Sequence, residues 1–242
     1  MIKKMLEVCV DNLSSVNAAV EGGAQRIELC SALSEGGLTP SVGFLKMVKR
    51  THPNLTVFAM LRPRCGNFVY SQLEMDCILE DMTELNANGV DGFVFGALTD
   101  DRKIDEDHCT LVKQHSNALP LTFHRAIDIT DTTVLTENVA KIERLGFNRI
   151  LTSGLQRTAE LGMENIAKMQ QCSKNIIVVP GAGINLKNVE TILSTTGCKE
   201  FHSSASIKTI DDAPDGDIDF GKIMRTDSDI VRNLVKIGQQ FL

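Results

Sequence analysis

The chain has 242 residues, 43% of them hydrophobic, enough apolar material for one large domain or two small ones and too much for intrinsic disorder. Acidic residues outnumber basic ones 31 to 25, and the net charge of −6 leaves no electrostatic footprint for nucleic acid. No apolar run approaches the roughly 20 residues that span a bilayer. Lys3-Lys4 precedes only a short apolar stretch broken by Glu7, so no signal peptide and no membrane partner are expected.

In chain order, a β-rich run at 6–10 is followed by a helical pattern that Asn12 opens and Gly22-Gly23 closes. A second strand, 26–30, leads to a helix opened by Pro40-Ser41. A third, 56–61, leads to the long stretch from Ser71 to Asn88-Gly89. Strand four, 92–96, precedes a helix at 104–115, and strand five, 121–126, precedes one at 131–145 stopped by Gly146. Strands six and seven, 149–153 and 175–179, are followed by helices at 159–172 and 185–193. Strand eight, 200–205, comes before a last helix at 227–240. Val, Ile, Phe and Thr enrich the strands, while Ser or Asn starts and Gly stops punctuate the helices.

Eight units of about 30 residues each match the size of a βα repeat. Strands alternating with helices imply a parallel sheet, and eight of them imply closure. An open doubly wound sheet needs fewer strands, and no G-x-G-x-x-G follows the first one. The expectation is an α/β chain forming one (β/α)8 barrel over residues 1–242. The acidic stretch at about 207–219, with Pro214 and Gly216, reads as a surface excursion.

In such a barrel, ligands bind at the C-terminal ends of the strands. Strand one alternates Glu7 and Cys9 against Leu6, Val8 and Val10; strand two sets Glu28 and Cys30 against Ile27 and Leu29. The apolar faces should pack on the helices and the Glu/Cys faces should point inward near the top. Arg62 ends strand three, His124-Arg125 ends strand five with Asp128 following, and His202 lies on strand eight. Buried charges need partners, which suggests Arg62 beside Glu7 or Glu28. This set is either a structural polar layer or a small-ligand pocket. The cost of burying ionisable groups favours the pocket.

After strand seven, Pro180-Gly-Ala-Gly-Ile-Asn185 places Gly181 and Gly183 before a helix that Asn185 is expected to cap. Glycines let backbone N–H groups approach an anion, and the loops after strands seven and eight often hold phosphate in barrels. Gly181, Gly183, Ser203 and Ser204 are therefore candidate anion ligands; a tight turn is the bland alternative.

The seven cysteines are odd in number, scattered, and contain no C-x-x-C pair, against both a disulfide framework and a structural zinc site. A reducing, cytosolic setting fits. Cys77, Cys109, Cys172 and Cys198 fall in helices or just before a strand and read as ordinary packing residues. Cys65 lies in a loop near the mouth. Cys9 and Cys30 occupy adjacent strands, which lie about 4.8 Å apart. Two inward thiols there read either as core cysteines or as a pair that shares a soft ion.

These residues resemble the CutC family of copper homeostasis proteins. The likeness runs through 6–10 (LEVCV), 22–31 (GGAQRIELCS), 34–41 (SEGGLTPS), Arg62-Pro63-Arg64, 91–98 (DGFVFGAL), 122–126 (TFHRA), 151–154 (LTSG) and 200–202 (EFH). It implies a TIM barrel, a cytoplasmic protein (also nuclear in eukaryotic members), a homo-oligomer such as a dimer or tetramer, and Cu(I) on Cys9 and Cys30. The chain departs from the family pattern at Ala182, where a third glycine is common, at Ile127, where an aromatic is common, and at Ser206, where arginine or glycine is common.

Two functions follow. One is a cytosolic copper-binding protein, with Glu7 and Glu28 shaping the Cys9/Cys30 site. The other is a lyase- or isomerase-type enzyme on a small phosphorylated or carboxylated metabolite. In it His124 serves as general acid or base, Glu7 or Glu28 as its partner and Arg62 as the counter-charge.

Overall fold

The structure, a computed structural model, describes residues 4–208 and 224–240. Eight parallel strands run in the order β7-β6-β5-β4-β3-β2-β1-β8. They are β1 (Met5–Val10), β2 (Arg26–Leu29), β3 (Thr56–Met60), β4 (Gly92–Phe95), β5 (Leu121–Phe123), β6 (Arg149–Thr152), β7 (Ile177–Pro180) and β8 (Glu200–Ser203). The sheet curls until β7 and β8 meet, without a ladder between them among the described residues. The helices are α1 (Leu13–Glu21), α2 (Val42–Thr51), α3 (Gln72–Ala87), α4 (Glu106–His115), α5 (Leu135–Arg144), α6 (Met163–Cys172), α7 (Val189–Thr196) and α8 (Ser228–Gln240). This is the expected (β/α)8 barrel.

Local chemistry sets the helix starts. Asn12, Ser41, Ser71 and Asp105 each accept a backbone N–H of the first turn, and Ser71 with Glu74 forms a reciprocal capping box. Strand alternation sorts the side chains into two cores. Leu6, Val8, Val10, Ile27 and Leu29 join the large core between strands and helices, where each fully buried aliphatic chain stabilises by about 1.5–3 kcal/mol. Cys30, Phe58, Met60 and Val94 form a separate cluster inside the barrel.

Four of the larger boundary differences have local causes. Strand five stops at Phe123 because the chain turns at once into a 3-10 segment, Arg125–Ile129, which the His124 ring caps by accepting the Ala126 N–H. The helix expected from 131 starts at Leu135, after a 3-10 turn at Thr132–Val134 that Asp131 caps. The one expected from 159 starts at Met163, because Gly154 and Gly162 press backbone to backbone: a Cβ on Gly154 would stand 2.3 Å from the Gly162 carbonyl oxygen. The one expected from Asn185 starts at Val189. The Asn185 N–H goes to Asn188 Oδ1 and its side chain takes the Lys187 N–H, closing a separate turn. Of the expected excursion at 207–219, residues 207 and 208 belong to β9 (Ser206–Lys208), which pairs antiparallel with β10 (Met224–Thr226). The rest of it lies outside the described residues. Among those described, no helix is long and apolar enough to cross a membrane.

Candidate functional site

The lower barrel is closed by charge. Arg26 lies between Glu7, 2.5 Å from Nε, and Glu200, and the Arg149 Nε also donates to Glu200 at 3.0 Å. Both guanidiniums stack over Phe58, each 5.2 Å from the ring centre. Burial works against the Glu7 carboxylate, but Arg26 and His202 overcome it and hold its pKa at about 2.

Above this layer, β1 sits between β8 and β2. Register places Glu7 beside His202 and Cys9 beside Glu28. His202 Nδ1 lies 2.9 Å from Glu7 Oε1, and Nε2 lies 3.8 Å from Glu28 Oε2. One donor atom each from Cys9, Glu28 and His202 falls within a 4.8 Å sphere of mutual distance. Burial disfavours the His202 imidazolium, but the neighbouring Cys9 and Glu28 outweigh it and raise the His202 pKa well above its ordinary value. Burial, reinforced by Glu7, raises that of Glu28. The Cys30 Sγ donates to Glu28 Oε2 at 3.5 Å, and burial pushes this thiol's pKa well up. The mouth thus offers a thiol, an imidazole and a carboxylate, with a second thiol against the carboxylate. A soft or borderline ion such as Cu(I) or Zn²⁺ fits this set; Mg²⁺ or Ca²⁺ does not. His202, to which sequence reading assigned no role, is the ring that completes it. Glu7 does not line the mouth; it clamps His202 from below, as carboxylates do behind ligating histidines.

A cavity of about 420 Å³ opens over Cys9, Glu28 and His202 and is lined further by Arg62, Phe68, His124, Ala182, Gly183, Ser203 and Ser204. The expected pairing of Arg62 with Glu7 or Glu28 does not occur. Arg62 Nη1 donates to the Glu35 and Gly37 carbonyls at 2.7 and 3.1 Å, and Nη2 to the Gly66 carbonyl at 3.3 Å. The loops after β2 and β3 thereby satisfy its donors with backbone oxygens before any carboxylate reaches it, and Nε is left without a partner. Phe68 covers Arg62, 5.2 Å from ring centre to guanidinium, and its ring lies 4.7 Å from that of His124. Burial, helped by the Arg62 charge, lowers the His124 pKa to about 3. Because Nδ1 accepts the Ala126 N–H, the proton of the neutral ring sits on Nε2, which has no partner. The ring is thus uncharged and carries its proton on Nε2.

Asp128, also on the cavity wall, accepts from Thr152 Oγ1, from Ser153 N and Oγ and from Leu155 N, and pairs with Arg125. It organises the loop after β6, and its position three residues beyond Arg125 was the only sequence sign of it. Around the expected anion loop, the Gly181 N–H is spent on the Thr152 carbonyl. The Ser203 hydroxyl goes to the Ile184 carbonyl and that of Ser204 meets Ser206. Ala182 and Gly183 both hold left-handed backbone, φ 75° and 77°. Cys65 and Cys77 are exposed and away from the cavity, Cys172 is half-buried, and Cys109 and Cys198 are buried in the outer core.

Residues 4–207 match the model of the CutC family. The chain is 48% identical to the copper homeostasis protein cutC homolog of Drosophila melanogaster, over 97% of this chain and 94% of that one. It is 44% identical to the human homolog, over 83% and 73%. Among solved structures it resembles CutC of Streptococcus agalactiae, described by name as a copper homeostasis protein, at TM-score 0.79 and 31% identity over 84% of this chain and 99% of that one. Phosphoribosylanthranilate isomerase of Thermotoga maritima matches at TM-score 0.63 and 11% identity over the full length of both, which reflects the barrel alone. With the motifs in order from β1 to β8 and the family model covering most of its length, the chain belongs to the CutC family of copper homeostasis proteins.

Proposed function

We propose that this protein handles copper by binding Cu(I) at the barrel mouth through Cys9, with His202 and Cys30 as the further soft donors. The observation that carries the reading is the convergence of Cys9, Glu28 and His202 from three adjacent strands within 4.8 Å, with the Cys30 thiol hydrogen-bonded to the same carboxylate. Thiolate and imidazole are the ligands Cu(I) prefers, and Glu28 then orients the site more than it ligates. Binding displaces the Cys30 proton that burial otherwise retains, so affinity rises with pH. The resemblance to the family adds a cytosolic homo-oligomer to this reading, checked by light scattering and cell fractionation.

Anaerobic Cu(I) titration against a competing chelator tests it. Cys9→Ser is expected to lower affinity about a hundredfold, close to 3 kcal/mol at 1.4 kcal/mol per decade. Cys30→Ser and His202→Asn should each produce a smaller loss. Unchanged affinity in the Cys9→Ser/Cys30→Ser double variant overturns the assignment.

A further inference from the structure

The cavity also contains groups that copper binding does not use. Arg62 is 7% exposed, meets no carboxylate among the described residues, and keeps a buried Nε without a partner. Its neighbour on the wall, His124, is 3% exposed and keeps an Nε2–H without an acceptor. A buried guanidinium that lacks a counter-charge and a buried imidazole donor that lacks an acceptor both cost stability, unless a ligand completes them. Ala182, Gly183 and Ser204, from the loops beside His202, line the same cavity. Among the described residues none accepts the backbone N–H of any of these three. They lie in the loops after β7 and β8, whose amides converge on anions in barrels.

We propose that this cavity binds a small phosphate monoester. Its phosphate rests on the backbone N–H groups of Ala182, Gly183 and Ser204, and its polar body faces Arg62 and His124. The serine hydroxyls do not take part, since both are committed within the protein. Arg62 supplies charge across the cavity, and His124 donates Nε2–H to a neutral oxygen of the ligand. A volume of about 420 Å³ suits a metabolite of a few carbons plus phosphate. Phe68 lies over both side chains, so it is the residue a bound ligand displaces or stacks on.

The test uses copper-free protein in the presence of a Cu(I) chelator, so that its outcome is independent of metal binding. Calorimetry and ³¹P line broadening are recorded with glycerol 3-phosphate and inorganic phosphate, and succinate serves as the carboxylate control. Glycerol 3-phosphate should bind saturably with a Kd below about 1 mM. Inorganic phosphate should be weaker and succinate weaker still. Ala182→Asp should reduce phosphate affinity at least tenfold while leaving the fold intact, because aspartate tolerates the left-handed backbone found there. Arg62→Met should do the same, and circular dichroism confirms the fold of each. No binding of either phosphate probe overturns the proposal. Succinate binding as tightly as glycerol 3-phosphate, or binding untouched by Ala182→Asp, overturns it as well.

Discussion

The two ends of the barrel interior are built from the same residue types and use them in opposite ways. At the lower end, Arg26, Glu7, Glu200 and Arg149 close a continuous chain of ion pairs around Phe58, and every charge has a partner. At the mouth, Glu28 Oε1, Arg62 Nε and His124 Nε2 are buried without one. Satisfied charge is structure; unsatisfied charge at the ligand end of a barrel is capacity to bind. Glu7 marks the boundary, since one oxygen belongs to the lower network and the other holds His202.

The largest expected effect comes from breaking the lower network. Arg26→Met removes the cation that Glu7 and Glu200 share, leaving Glu7 to His202 and Glu200 to Arg149, and should cost about 3–5 kcal/mol in urea denaturation. A cost below about 1 kcal/mol would remove the distinction between the two ends. Next in size is Gly96→Ala, whose Cβ would stand 2.6 Å from His124 Nδ1. It should cost about 1–3 kcal/mol in thermal unfolding and dislodge the ring from the Ala126 N–H. The third prediction concerns pH. Folded His124 resists protonation until about pH 3, whereas the unfolded ring takes a proton near its ordinary 6.5. The His124 contribution to stability therefore falls as pH drops through that window, and the depressed Glu7 adds a further loss between 4.5 and about 2. A denaturation series on His124→Gln should show the upper part flattened and the lower part kept. The smallest stability effect is expected at the mouth: Cys9→Ser should shift unfolding by less than about 1 kcal/mol, although it is the variant that most impairs Cu(I) affinity.

The barrel was legible because alternation in 6–10 and 26–30 separates aliphatic from Glu/Cys faces, and both faces pack as that pattern dictates. Cys9 and Glu28 at the mouth were legible for the same reason. His202 was legible as a mouth residue but its role was not, since its contact with Glu7 spans 195 positions and exists only once β8 pairs with β1. Nor was the environment of Arg62, because its acceptors are loop carbonyls, and backbone oxygens leave no mark on residue type. The late start of α7 reflects a local competition: the Asn185 and Asn188 side chains bond nearby N–H groups and close a turn where a helix could begin.

The most direct test of the soft-metal site is X-ray absorption at the copper edge on the Cu(I)-loaded protein and its variants. Sulfur and imidazole scattering should both be present in the wild type. Imidazole scattering should disappear in His202→Asn, and sulfur scattering should fall in Cys9→Ser. A copper environment identical in all three proteins would contradict the site.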